Sequence, residues 1–261
     1  MSYRDERRAR GEQTFHALFD AREIKRPTPL LDSKCDFVFG EVWTRPGLGA
    51  RERWLIALTC VGHAANLVEI DAYVHAVLST KVLSLEEMRE FVLHFAVYCG
   101  WSKAELIDDA VSRCADALGL AEPAEPSPLS LEASERRARG AAGYESVMLI
   151  PAPNPDTCYL DAGILNFVFG EMWDRPGLDR KSRRFITLAA VGLNDANGPI
   201  VTHVHAALKS GHLSLAEMRE FVLQFAVYAG WPKASEMEVV TGKIVSRLAA
   251  GGSPFDLMSV S

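Results

Sequence analysis

The chain has 261 residues, 48% of them apolar and 24% charged, with a formal charge of −6. This is the balance of an ordinary globular protein, and its basic runs, Arg7-Arg8-Ala9-Arg10 and Arg136-Arg137-Ala138-Arg139, are too short to draw a polyanion, which excludes nucleic acid as a partner. No window approaches the ~20 consecutive apolar residues of a spanning helix, which excludes a membrane partner, and the charged start Met1-Ser-Tyr-Arg-Asp-Glu-Arg-Arg is not a signal peptide.

Five scattered cysteines, Cys35, Cys60, Cys99, Cys114 and Cys158, suit a reducing compartment better than a disulfide framework, and a cytoplasmic location is expected. In chain order, the first predicted element is an N-terminal helix that includes Glu6-Arg-Arg-Ala-Arg-Gly11. The motif Phe39-Gly-Glu-Val-Trp-Thr-Arg-Pro-Gly-Leu48 follows, and Arg53 to Gly62 then reads as a mostly buried helix. Ser84 with Glu87 three residues on forms a capping box, and the helix it opens carries the apolar stripe Leu85, Met88, Val92 and Phe95. Gly100 stops that helix and Ser102 starts the next. Ala121-Glu-Pro-Ala-Glu-Pro-Ser-Pro-Leu129 reads as a stiff, Pro-rich linker.

The series then recurs. Glu135-Arg-Arg-Ala-Arg-Gly140 repeats the N-terminal helix at an offset of 129, and Phe169-Gly-Glu-Met-Trp-Asp-Arg-Pro-Gly-Leu178 repeats the first motif at 130. Arg183 to Gly192 is the second mostly buried helix, and Leu215, Met218, Val222 and Phe225 form the second stripe behind the capping box Ser214 and Glu217. Gly230 stops that helix and Pro232 starts the next. Between Phe39–Trp101 and Phe169–Trp231, 34 of 63 positions are identical without a gap. No segment alternates as a half-buried strand does. The expectation is an all-α tandem duplication with about six helices per copy. Residues 1–120 form the first copy, 121–130 the linker and 131–261 the second, the copies packing as a pseudo-dimer about a pseudo-two-fold axis.

The run Gly-Glu-(Val/Met)-Trp-x-Arg-Pro-Gly-Leu, an Arg five residues later, a His on the following helix and Glu-Met-Arg-Glu-Phe-Val-Leu-x-Phe-Ala-Val-Tyr-x-Gly-Trp resemble γ-carboxymuconolactone decarboxylase across nearly all of both copies. The resemblance implies an all-α fold, cofactor-independent chemistry and association into a homo-oligomer. The related alkylhydroperoxidase branch carries Cys-x-x-Cys-x-x-x-His. The corresponding positions here are Asn66, Glu69 and Tyr73 in one copy and Ala196, Pro199 and His203 in the other, so both redox cysteines are missing and a thiol peroxidase is disfavoured. The family's Glu-x-x-x-His pair is split, because the first copy keeps Glu69 with Tyr73 and the second has Pro199 with His203.

Decarboxylation of a lactone of this kind leaves an oxyfuran-like dienolate. The ring is then the electron sink, and the protein must hold carboxylates, stabilise developing negative charge and return a proton to carbon. His203 is the candidate general acid; its alternative role is a histidine merely satisfied at a helix boundary. Arg183, Arg175, Arg45 and Arg53 are candidates for substrate carboxylates, against the alternative that one arginine of each pair ties helix ends together through Glu41 or Glu171. Glu69 either orients a base across the fused pair or is a solvated helix charge. Tyr73, Tyr228, Tyr98 and His94 are candidate pocket donors, and Trp43, Trp101, Trp173 and Trp231 are expected in packing roles. A metal site of His203, His205 and His212 lacks a fixed third ligand, so neither metal nor cofactor is expected. The resemblance implies a decarboxylase acting on a small carboxylated lactone or aromatic-degradation intermediate. The rival is a binding or non-catalytic member of the fold whose site has degenerated.

Overall fold

The computed structural model describes residues 2–19, 28–122 and 132–257. Helices dominate: α1 (Tyr3–Phe19), α2 (Pro29–Ser33) running into a π-helical segment Lys34–Val42, α3 (Ala50–Ala64), α4 (Leu67–Ser79), α5 (Leu85–Cys99) and α6 (Trp101–Leu118). The second half follows with α7 (Ala133–Met148), a π-helical segment Tyr159–Val168, a 3-10 turn Met172–Asp174, α8 (Arg180–Leu193), α9 (Asn197–Lys209), α10 (Leu215–Ala229) and α11 (Trp231–Ala249), before a last 3-10 turn Pro254–Leu257. Among the described residues there is no strand, and no helix is long and apolar enough to cross a membrane. Most of the expected linker, residues 123–130, lies outside the described residues.

Local chemistry sets the helix ends. The Ser84 and Ser214 hydroxyls accept from the amides of Glu87 and Glu217, and each glutamate accepts in return from the serine amide, closing both capping boxes. Gly100 and Gly230 sit at φ of +94° and +93°, where a side chain would be strained, so α5 and α10 end there. The next helices begin at once with Trp101 and Trp231, one position earlier than Ser102 or Pro232 would suggest. Those two tryptophans are 53% and 58% exposed, yet each packs on a ring of the other half, Trp101 on Phe167 and Trp231 on Phe37.

The helices α3 and α8 are central, since nearly every residue from Arg53 to Gly62 and from Ser182 to Leu193 is buried. They pack on each other, and each receives a helix from the other half: α5 on α8, and α10 on α3. The peripheral helices stay at home, with α4 against α6, α3 and α1, and α9 against α11, α8 and α7. One continuous apolar core therefore joins Phe91, Phe95 and Trp54 with Phe185, Phe221 and Phe225. Burying a side chain of that size stabilises the fold by about 1.5–3 kcal/mol. A smaller cluster of Val147, Met148, Ile150, Phe169 and Trp173 lies beside α7.

The N-terminal helix of each half approaches its π-helical segment at a glycine. A Cβ on Gly11 would stand 2.1 Å from the Cys35 carbonyl oxygen, and one on Gly140 would stand 1.5 Å from that of Leu165. This contact sets the positions of Phe39 and Trp43 in one half and of Phe169 and Trp173 in the other. Gly140→Ala should therefore destabilise the protein by about 2–3 kcal/mol, or roughly 4–10 °C, because backbone must move. Gly192→Ala should cost less, since its Cβ would meet the ends of Phe225 and Met237 side chains, which can turn aside. Thermal unfolding of the two variants checks the order.

Candidate functional site

The exchange of α5 and α10 builds two related clusters, each from both halves. In the cluster on α8 and α9, Trp173 donates its Nε1–H to the Tyr98 hydroxyl at 2.9 Å. In the cluster on α3 and α4, Trp43 donates to Tyr228 at 3.0 Å. Below each phenol lies a clamped arginine pair. Arg175 holds Glu90 through Nε at 3.0 Å and NH2 at 2.8 Å, and Arg45 holds Glu220 through Nε at 2.9 Å and NH2 at 2.6 Å. Arg183, fully buried, donates to the Arg175 carbonyl at 2.9 Å and lies 3.3 Å from Glu90. Arg53 donates to the Arg45 carbonyl and to Gln224 Oε1, both at 2.8 Å.

These contacts correct part of the reading from sequence. Arg45, Arg175, Arg53 and Arg183 are each engaged by a glutamate of the opposite half, and Arg53 and Arg183 also by a backbone carbonyl, although the Nε of Arg53 and of Arg183 meets no protein partner. The acids involved are Glu220 and Glu90 from the opposite half; Glu41 instead accepts from Arg7 at 2.9 Å and Glu171 lies 3.9 Å from Arg136. Glu69 sits in the first turn of α4, its amide bonded to the Asn66 side chain at 3.4 Å. Its helix packs on α6, α3 and α1, whereas the His203 helix packs on α11, α8 and α7.

Above Arg183 the α8 cluster carries a directional hydrogen-bond chain. A guanidinium only donates, so the 3.3 Å contact from Arg183 NH1 makes His94 Nδ1 the acceptor. The ring proton then sits on Nε2, which donates to Thr187 Oγ1 at 2.9 Å. Burial and then Arg183 hold His94 well below the ordinary histidine range, in keeping with a neutral ring. Thr187 also hydrogen-bonds the Tyr98 hydroxyl, which burial pushes up to about 12, so it remains a phenol. With Trp173 and Thr187 both on its oxygen, Tyr98 has its own proton left to donate.

His203 lies beside this phenol. It is 6% exposed, its ring stacked at 6.4 Å and 11° on Trp173 and edge-on to Tyr98 at 5.7 Å. Its Nδ1 meets no protein partner. Burial, then the Arg184 charge, lower its pKa to about 3, so in the free protein it is a neutral imidazole and not the near-neutral acid that the sequence suggests. Arg184 is itself fully buried, its guanidinium 5.0 Å from the Trp173 ring centre and its NH2 donating to the Val147 carbonyl. Its Nε and NH1 have no protein acceptor.

The α3 cluster lacks that arrangement. At the offset of 130, Trp54 stands for Arg184, Ala57 for Thr187, Tyr73 for His203 and Gln224 for His94. Trp54, Tyr73 and Phe19 pack edge-to-face at 5.0–5.6 Å, and Tyr73 donates to Tyr228 at 3.2 Å. The result is an aromatic plug, and Tyr73 and Tyr228 satisfy each other within it. Arg184 and Thr187 escaped the sequence reading although a signal existed: each is polar where its counterpart, on a helix buried all round, is apolar. Glu90 and Glu220 gave no such signal, since they are identical in the two halves. His205, two residues from His203, is buried elsewhere, and among the described residues no group of three or more metal-ligating side chains converges.

Buried histidines also set a pH dependence. An unfolded histidine titrates near 6.5, whereas His203 folds with a value of about 3, so the unfolded chain binds more protons between those limits. Stability should fall as pH drops through this window, with His203 alone contributing about 2 kcal/mol between pH 7.5 and 5. His94, also lowered, adds in the same direction. In His203→Gln the loss between those pH values, read by denaturant unfolding, should shrink by that amount; an unchanged loss would refute a buried neutral His203.

With this geometry in view, the comparisons with known proteins can be weighed. The carboxymuconolactone decarboxylase family matches residues 160–239, the stretch from the second π-helical segment into α11. A nitrosuccinic acid decarboxylase of Metarhizium robertsii is 37% identical over 89 residues, covering 34% of this chain and 62% of the relative. A 4-carboxymuconolactone decarboxylase of Acinetobacter baylyi is 32% identical over 72 residues, covering 28% of this chain and 53% of the relative. The chain thus spans less than two thirds of either relative's length. The matched segment holds Arg175, Arg183, Arg184 and His203, and the helices around it are those of an all-α fold. By these matches residues 160–239 of the chain are similar to the carboxymuconolactone decarboxylase family.

Proposed function

We propose that the protein is a cofactor-independent decarboxylase of a small organic acid with an electron sink conjugated to the leaving carboxylate, and that it works at one site per chain, the α8 cluster. The names of the two relatives support this class. Carboxymuconolactone and nitrosuccinic acid are both dicarboxylic acids in which a sink, an unsaturated lactone in one and a nitro group in the other, accepts the electron pair of the departing CO2.

The observation that carries the reading is the Tyr98 phenol beside the buried His203. In the reaction the C–C bond to the carboxylate breaks, its electron pair moves into the sink, and negative charge grows on a sink oxygen. Tyr98, held by Trp173 and by the Arg183–His94–Thr187 chain, has one proton to offer that oxygen without reorganising. Its aromatic surroundings exclude water and strengthen the bond. The reaction then needs one proton on carbon. His203 is neutral in the free protein, but an anionic substrate beside it favours the imidazolium, so binding would take up the proton that is later delivered. The aromatic plug around Tyr73 supports a structural role for the α3 cluster, which limits the non-catalytic alternative to that half.

The test is CO2 release from a panel of dicarboxylic acids bearing unsaturated-lactone or nitro groups. His203→Ala should lower turnover by about 10²–10⁴, and Tyr98→Phe by about 10²–10³. Tyr73→Phe should change it by no more than a few-fold. Turnover should survive a chelator and a thiol-blocking reagent. Equal losses in His203→Ala and Tyr73→Phe would show that both clusters work and overturn the assignment.

A further inference from the structure

We infer that Arg184 is a binding site for a single carboxylate of a small organic acid, and that its counterpart Trp54 leaves the other half without one. The inference deepens the proposed function, because the site adjoins His203 and Tyr98. It rests on that reading only for the fate of the bound acid, not for the binding itself.

Among the described residues three arginines are buried: Arg53, Arg183 and Arg184. The first two lie 3.6 Å from Glu220 and 3.3 Å from Glu90. Arg184 has no carboxylate partner among the described residues. Its neutral surroundings are the Val147 carbonyl, the Trp173 ring, Tyr98 and His203, and the other charge acting on it is a second cation, Arg180. A buried cation without a counter-charge is costly, and a protein keeps one where something supplies the missing charge. Arg184 keeps N–H donors on Nε and NH1 for that purpose, and the partnerless Nδ1 of His203 lies in the same cluster.

Arg175 and Arg183 share the single carboxylate of Glu90, so the positive charge of Arg184 is additional to one that this pair keeps. The relatives named above act on carboxylic acids, which makes a carboxylate the anion to expect at Arg184. At the counterpart position Trp54 packs on Phe19, Trp43 and Tyr73 at 5.6, 5.1 and 5.6 Å, which leaves no cation there. Binding should therefore be one acid per chain.

Succinate is a suitable probe, because it has two carboxylates and no electron sink and so cannot react. Calorimetry on the full chain should give one succinate site, which neutral succinamide does not fill and inorganic phosphate does not contest. Arg184→Met should weaken succinate at least about 30-fold, the loss expected for one partner of a buried charge pair. The same variant, without ligand at pH 7.5, should unfold at a temperature no lower than the wild type, because an uncompensated buried charge has been replaced by an apolar chain of similar length. Arg184→Lys keeps the charge and should retain measurable binding. Succinate that binds Arg184→Met as well as wild type, phosphate that competes equally, or an Arg184→Met variant that unfolds many degrees early or fails to fold would each overturn the inference. The last two results would mark a general anion site or a structural arginine. Succinate binding without CO2 release from any acid in the panel would uphold the carboxylate site and remove the decarboxylase reading instead.

Discussion

Everything at the candidate site depends on two glutamates that each half lends to the other. Glu90 from α5 is buried and Glu220 from α10 is partly buried, and each holds the arginine pair of the opposite half. A buried carboxylate facing two guanidiniums is tolerable only with its full set of hydrogen bonds, and removing it would leave Arg183 or Arg53 charged and unmatched, a loss of about 3–5 kcal/mol. The clamps therefore fix how α5 lies on α8 and how α10 lies on α3. That registration carries Tyr98 to Trp173 and Tyr228 to Trp43, and without it neither phenol would have a defined place.

On this common frame the two clusters have taken opposite solutions. The α3 cluster resolves its burial with aromatic area: Phe19, Trp43, Trp54 and Tyr73 meet edge-to-face, geometry that adds to the apolar stabilisation. The α8 cluster places a guanidinium, an imidazole and a threonine in the equivalent space. Both clusters leave buried donors without protein partners, Arg53 Nε, Trp54 Nε1 and Gln224 Nε2 in one and Arg183 Nε with Arg184 Nε and NH1 in the other. The α8 cluster adds a buried guanidinium with no carboxylate beside it among the described residues, which costs folding free energy unless a ligand supplies the charge. Burial, aided by neighbouring charges, then decides protonation. Burial and Arg183 keep His94 neutral, with Arg183 fixing its tautomer, while burial and Arg184 keep His203 neutral until negative charge arrives. One helix thus carries two arginines with different tasks, Arg183 positioning and Arg184 open to an anion.

The amino-acid sequence by itself determined the all-helical class, the capping boxes at Ser84 and Ser214, the glycine stops at Gly100 and Gly230, and the correspondence of the two halves. These follow from short-range spacing and from identity at a fixed offset, both of which a one-dimensional string preserves. It also marked His203 against Tyr73, because a histidine opposite a tyrosine is visible without coordinates. It did not disclose that Arg45, Arg53, Arg175 and Arg183 are already held by protein groups, since their partners lie 85 to 175 residues away and only packing chooses between Glu41 and Glu220, or between Glu171 and Glu90. Nor did it give the protonation state of His203, which depends on burial and on the Arg184 charge. The tertiary structure alone decided which arginine lacks a counter-charge, because charge compensation depends on distance in space and not on position along the chain.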